Sequence, residues 1–325
     1  MFIPISILRK IAASAALGTL LLFLASCSSL APFKPFGPCV PHFPDRDGWY
    51  GGDGAYSVLL DDKRTLWLFG DTFASEEKER KDRIGMDVVL GTTLAVSTCS
   101  LCGHFSIRYY LKQKNGRFVS SFGENEWLWP QAPFIAAGIL HIPLLVIEGI
   151  QGAEAPFNFR VAGHQMVQIR DFRATDPRDW PVEYVNWTEA LPSGIEALAT
   201  TSVVYQNYVY FYPLMRSANI TGNILARIAV GHLDNPRRHL EYLTKRNEWQ
   251  KELKTNEVKI IFPDAVSELS VRYSEPDRRW TAVYSSPQHK GGRLLYATAP
   301  APEGPWATPQ TLVETVDEVN PASPL

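Results

Sequence analysis

Gly51-Gly52-Asp53-Gly54-Ala55-Tyr56-Ser57-Val58-Leu59-Leu60, continued by Asp61-Asp62-Lys63-Arg64-Thr65-Leu66-Trp67-Leu68-Phe69-Gly70-Asp71-Thr72, is the stretch that decides how the chain is read. Two apolar, partly alternating runs, 55–60 and 65–69, flank a short charged turn, which is the pattern of a β-hairpin. An acid stands at each open end. With the turn at Asp61 to Lys63, paired residue numbers sum to 124 and Asp53 lies directly opposite Asp71; a turn one residue shorter makes them diagonal neighbours. Directly opposed residues share a face, with Cβ atoms roughly 4.5–5.5 Å apart. Like charges that close oppose each other's ionisation and push one pKa upward, which yields an acid and a base from two identical groups. Glycines at 51, 52 and 54 leave the backbone around Asp53 open to a ligand. Taken singly, an Asp in a Gly-rich segment is usually a turn residue, and Asp71 after Gly70 can simply cap a strand. The pairing is what favours a functional role.

Outward from this hairpin, the chain carries no long helical period. Short aromatic and β-branched runs recur instead: Trp67-Leu68-Phe69, Leu145-Val146-Ile147, Tyr210-Phe211-Tyr212 and Ala282-Val283-Tyr284, at spacings of 78, 65 and 72 residues. An irregular period near seventy suits propeller blades with long loops. Four blades are expected at about 54–113, 126–186, 199–246 and 266–312. The apolar segment 135–150 contains His141, Pro143 and Glu148 and reads as buried strand rather than a membrane span. The charged runs 76–83 and 237–257 read as solvated loops, the second with a short helix.

At the N-terminus, Arg9 and Lys10 precede an apolar run from Ile11 to Leu24 and the sequence Leu24-Ala25-Ser26-Cys27. This is a secretory signal, residues 1–26, and its ending resembles a bacterial lipobox, which implies lipidation of Cys27, a membrane anchor and an outer-membrane or periplasm-facing location. Residues 27–44, with prolines at 32, 35, 38, 41 and 44, form a semi-rigid tether. The folded domain is expected over 45–325. Formal charge is −2 for the whole chain, and −4 once Arg9 and Lys10 are removed, which argues against nucleic acid as a partner. A hydrophobic content of 45%, with 12% aromatic residues, is ample for a packed core. Beyond Cys27 there remain Cys39, Cys99 and Cys102. Cys99, Cys102 and His104 lack a second ligand pair, so no metal is assigned; a local disulfide or two reduced thiols is the reading.

The segments GGDGAYSV and RTLWLFGDTF resemble the opening blade of a bacterial family of five-bladed β-propellers, formerly of unknown function, that includes endo-D-arabinofuranases. That family is related in architecture to five-bladed glycosidases and glycoside phosphorylases. The turn from Thr298 through Gly304-Pro305-Trp306 also resembles one common in glycosidase propellers, after which a further blade follows in the family. The resemblance therefore implies an all-β, five-bladed propeller whose last blade is truncated or missing here.

Propeller blades bring their first strands around one axis, so acids at those strands are candidates to meet. Besides Asp53 and Asp71 these are Glu196, before the third blade, and Glu268, in a Ser-Glu-Leu-Ser-Val-x-Tyr segment that also resembles the family; Glu148 is a weaker candidate. Glycoside hydrolysis needs two carboxyls. The resemblance makes Asp53 and Asp71 the leading catalytic pair, with Trp49, Tyr50 and Tyr56 as aromatic residues that can stack on sugar. The expected function is hydrolysis of a furanoside-containing or other envelope or environmental polysaccharide, with no cofactor. The alternatives are a non-catalytic carbohydrate-binding or envelope-scaffold lipoprotein of the same fold, and a phosphorylase, for which no basic phosphate pocket is evident. No Gly-x-Ser-x-Gly elbow, phosphate loop or His-Glu-x-x-His is present.

Overall fold

The hairpin forms in the longer-turn register. Tyr56–Leu59 pairs antiparallel with Arg64–Phe69, Tyr56 opposite Leu68 and Leu59 opposite Thr65. The Leu60 amide closes the turn onto the Arg64 carbonyl at 2.8 Å. Asp61 stabilises it from within, its Oδ1 accepting from the amides of Lys63 and Arg64 at 3.0 and 2.8 Å, which is why an acid opens this turn. The computed structural model describes residues 39–77, 80, 82–100, 103–124, 126–152, 158–218, 220–285 and 293–314. Cys27, the signal and most of the tether lie outside the described residues.

The chain divides into two units, 43–97 with 107–325, and 1–42 with 98–106. In the smaller unit Cys39 is disulfide-bonded to Cys99, Cα atoms 6.0 Å apart. Cys99 is thus bridged to a residue sixty positions earlier rather than to its neighbour Cys102, which lies outside the described residues. Spacing in sequence favoured the local partner, but the strand carrying Cys99 brings it to the start of the domain.

The larger unit is built of successive antiparallel meanders. The first contains Tyr56–Leu59, Arg64–Phe69, Thr93–Cys99 and Phe105–Tyr110. Beyond Gly70 and Asp71 its strands continue as a three-stranded sheet of Trp49–Gly52, Thr72–Ala74 and Asp87–Val89. The second has Trp127–Pro130, Ile139–Gly149, Phe159–Ile169 and Glu183–Asn186, with Phe134–Ala136 also on Ile139–Gly149. The third is again broken into two sheets along its length, one opening with Ile195–Ala197 and the other with Ser202–Tyr205. The fourth is Leu269–Ser274, Arg279–Ser285, Arg293–Ala299 and Gln310–Glu314. The second charged run carries a single helical turn, Pro236–His239.

Three buried cores lie between consecutive meanders. Leu66, Leu68 and Leu94 of the first pack with Leu128, Leu140 and Ile142 of the second. Phe134 and Met166 of the second meet Phe211 and Ile228 of the third, and Tyr210 and Leu225 of the third meet Val271 and Trp280 of the fourth. Sheets that bury both faces against the preceding and following sheets are propeller blades, so the fold is an all-β propeller. Four blades fall among the described residues.

Candidate active site

A pocket of about 430 Å³ is lined from all four blades: Asp53, Gly54 and Tyr56 from the first, Trp129, Gln131 and Phe159 from the second, Glu196 and Leu214 from the third, and Ser267 and Glu268 leading into the fourth. Three of the five acids singled out in the sequence, Asp53, Glu196 and Glu268, therefore line one cavity. Such a volume is within the usual range for a small-molecule site.

Each acid has a local reason for its position. Asp53 sits where the first blade's two sheets meet: its amide donates to the Asp71 carbonyl at 3.0 Å, and the Gly70 amide donates to the Asp53 carbonyl at 2.6 Å. Gly52 beside it is fixed by crowding, because a Cβ there would lie 2.7 Å from Thr72 Oγ1. Glu196 is the middle residue of Ile195–Ala197, whose neighbours are buried, so alternation along the strand turns its side chain the other way. Glu268 follows Val266, whose amide donates to Asn223 Oδ1 at 2.7 Å and whose carbonyl accepts from Asn223 Nδ2 at 2.8 Å. Asn223 is fully buried and clamps the approach to Glu268 from the third blade.

Burial, and secondarily the charge of Asp71, raises the Asp53 carboxyl above its ordinary 3.8. Burial, followed by the charge of Glu268, raises the Tyr56 phenol well above its usual value. Glu196 is ion-paired with Arg216, Nη1 to Oε2 at 3.2 Å. Burial holds His164, on the second blade's Phe159–Ile169, neutral, its pKa lowered from 6.5 to about 4.

Asp71 is adjacent but is used differently. Its Oδ1 accepts from the Gly91 amide at 2.7 Å and from the indoles of Trp127 and Trp129 at 2.8 and 2.9 Å, and it is not among the residues lining the pocket. Two tryptophans two positions apart on a strand share a face, so both indoles reach one acceptor and tie the first blade to the second. The chain bend at Gly70 points one acid into the pocket and the other at the neighbouring blade.

Of the three aromatic residues singled out in the sequence, Tyr56 alone lines the pocket. Trp49 is 5% exposed and stacks on Tyr109 with centroids 4.3 Å apart. Tyr50 is 4% exposed and donates its hydroxyl to the Glu77 carbonyl. Neither lines the pocket: Trp49 packs in the first blade's own core, and Tyr50, the next residue of the strand, points to the other face, where Glu77 covers it. Trp129 and Phe159 stand there instead, packed edge-to-face at 4.7 Å. Glu148 is in an exposed ion pair with Arg160 at 2.7 Å. At the end of the mixed-charge run, Arg83 Nε donates to the Tyr50 carbonyl at 2.8 Å. Asn223, His164 and Trp129 were not identified in the sequence; the Trp-Leu-Trp alternation at 127–129 was the one available signal, since paired indoles on one face need an acceptor.

An all-β propeller with an acid-lined pocket where its blades meet is the class that fold and site define. The chain belongs to the family described as Domain of unknown function (DUF5005), matched over residues 41–323. No curated protein matches it in sequence. Among solved structures it is similar to a protein from Bacteroides ovatus provisionally described as a hydrolase, with 14% identity and a TM-score of 0.59 over 82% of this chain and 71% of that one. It is also similar to an α-L-arabinofuranosidase from Podospora anserina in complex with cellotriose, at 13% identity and TM-score 0.43 over 86% and 72% of the two chains. An endo-arabinase from Bacteroides thetaiotaomicron gives 12% identity and TM-score 0.41, with 80% of each chain covered.

Proposed function

We propose that the protein is a glycoside hydrolase acting on a furanoside-containing or other envelope or environmental polysaccharide, exported and lipid-anchored through Cys27. One observation carries the enzymatic part: carboxyls from three blades, Asp53, Glu196 and Glu268, line one pocket together with Tyr56, Trp129 and Phe159. The basic and apolar leader ending in Leu-Ala-Ser-Cys supports the anchor.

The roles follow from the environments. Asp53, raised by burial and by Asp71, holds the proton and delivers it to the glycosidic oxygen as the bond to the anomeric carbon breaks. Glu196, paired with Arg216, accepts a proton from the water that attacks that carbon. The leaving sugar thereby gains the proton of Asp53, and Glu196 ends with the proton of water. Glu268 adds negative charge beside the cationic transition state, and Tyr56, Trp129 and Phe159 offer apolar faces to the ring. Asp71 positions Asp53 and keeps its proton in place.

The test is reducing-sugar release from D-arabinan, L-arabinan and a wider polysaccharide panel. Release is expected, with Asp53→Asn and Glu196→Gln each lowering kcat/KM by at least about a hundredfold, the usual scale for removing an acid or base, at unchanged thermal stability. Binding of a glycan without turnover would replace this reading with that of a binding module. Undiminished turnover in Asp53→Asn would refute the assigned role.

A further inference from the structure

Beside the acid pocket lies a second cavity of about 540 Å³, which shares Phe159, Val161 and Glu196 with it. The two are contiguous at Phe159. The second has two cations in its wall, Arg160 from the second blade and Arg216 from the third, and one carboxylate, Glu196. Its remaining polar groups are neutral: the hydroxyls of Thr188 and Ser193, and the buried His164 ring.

Neither guanidinium is committed to its present partner. Arg216 meets Glu196 at 3.2 Å with side chains 53% and 38% exposed, and Arg160 meets Glu148 at 2.7 Å with side chains 66% and 55% exposed. Ion pairs that wet are weak, so a ligand anion competes for these donors on even terms, and guanidinium is suited to carboxylate and phosphate. The wall behind them is close-packed: a Cβ on Gly163 would lie 2.5 Å from Thr188 Oγ1, and that hydroxyl accepts from the His164 amide at 2.9 Å. A close-packed cavity with two guanidinium groups held only in solvent-exposed ion pairs, opening onto an acid-lined one across an aromatic ring, is shaped for a chain whose next unit is anionic.

We propose that this cavity is a second saccharide subsite that takes a sugar bearing an anionic group, a uronate carboxylate or a phosphate ester. Arg160 and Arg216 hold that group, while Phe159 meets the ring at the junction with the first pocket. The inference rests on the glycosidase reading for what occupies the first pocket, but its own test is binding, not turnover.

The experiment is calorimetric titration of the full-length protein with trigalacturonate and, as neutral probe, galactotriose, at about 50 and about 300 mM NaCl. The acidic trimer is expected to bind about tenfold more tightly at the lower salt, the scale of one hydrogen bond to a charged group, and the advantage shrinks at the higher salt. Arg160→Gln, a surface change outside the acid pocket, removes most of the advantage and leaves galactotriose affinity unchanged. Displacement of the trimer by glucuronate but not by inorganic phosphate identifies the carboxylate as the ligand; displacement by phosphate alone identifies the ester. Equal affinities for the two trimers, or a preference that survives Arg160→Gln, would overturn the proposal. Acid preference with no hydrolysis of any glycan would leave the subsite standing and remove the glycosidase reading, whereas hydrolysis without acid preference would do the reverse.

Discussion

His141 gives the chain a pH-dependent stability whose size follows from its surroundings. It lies on Ile139–Gly149, is 2% exposed and stacks on Phe134 with centroids 4.8 Å apart and planes 8° from parallel. Neither ring nitrogen has a partner. Burial, and then the positive charge of Arg170, lowers its pKa from 6.5 to about 4. Between those values the unfolded chain binds a proton that the native state refuses, so stability is fully present above 6.5 and declines as pH falls toward 4. Below that the folded protein takes the proton too, and the loss stops. The slope is at most about 1.4 kcal/mol per pH unit per group, which gives about 2 kcal/mol lost by pH 5 and roughly 3 kcal/mol in all. His164, lowered to the same degree by burial, loses a similar amount. Together they remove roughly 6–7 kcal/mol, comparable to the whole stability of many domains.

The perturbation is His141→Phe, which keeps a ring against Phe134 while removing the titration and two unpaired nitrogens. Urea unfolding followed by tryptophan fluorescence at about pH 7.5, 6 and 5 supplies the measurement, with m-values compared to confirm that the same surface is exposed. The unmodified protein should lose about 2 kcal/mol more than the variant between the highest and lowest pH. His164 and the carboxylates titrate alike in both proteins, so the difference isolates His141. Parallel losses in the two would mean that this imidazole is not buried neutral, and the reasoning would fail.

Two further substitutions separate structure from chemistry around the site. Asp71→Asn removes the charge that helps raise Asp53, so the alkaline limb of kcat/KM should move to lower pH; Asp71→Ala leaves two indoles and the Gly91 amide without their acceptor and should cost about 2 kcal/mol in chemical denaturation. Asn223→Leu strips the clamp on Val266 and should cost about 2–4 kcal/mol. It should also lower kcat more than the equally buried Ile224→Val, measured on whichever glycan is hydrolysed; equal effects would mean that Glu268 does not depend on the clamp.

What was legible in the sequence was local or periodic. The hairpin was legible from two apolar runs around a charged turn, although only the structure decides between two registers one residue apart, and the blades were legible from apolar runs recurring near every seventy residues. Asp53, Glu196 and Glu268 could be selected because each opens a blade, and blade openings converge. Trp49 and Tyr50 were misplaced because aromatic content does not reveal what covers a strand: both precede the glycines of Asp53, yet Trp49 packs on Tyr109 in the first blade's core, and Tyr50, on the opposite face, is buried with its hydroxyl on the Glu77 carbonyl. The partner of Cys99 was invisible for the opposite reason, since closure of a sixty-residue loop leaves no mark on spacing. Asn223 acts through main-chain groups of another blade, and no sequence pattern encodes a contact of that kind.

The separate uses of Asp53 and Asp71 show why opposition in a hairpin does not by itself make a catalytic dyad. In a regular ladder the two would exchange both hydrogen bonds and present their carboxyls side by side. Here the Gly70 amide takes the bond that the Asp71 amide would have made, and the ladder turns between them. One carboxyl enters a cavity with few donors and is pushed toward its neutral form; the other meets three N–H donors, the Gly91 amide of its own blade and two indoles of the neighbouring one. The second arrangement holds the first in place, because the bonds from Trp127 and Trp129 to Asp71 fix the first blade against the second at the level of Asp53. A propeller can therefore place an acid far along the chain from its partner, as Asp53 is from Glu196, and still define their separation through inter-blade ties that do no chemistry themselves.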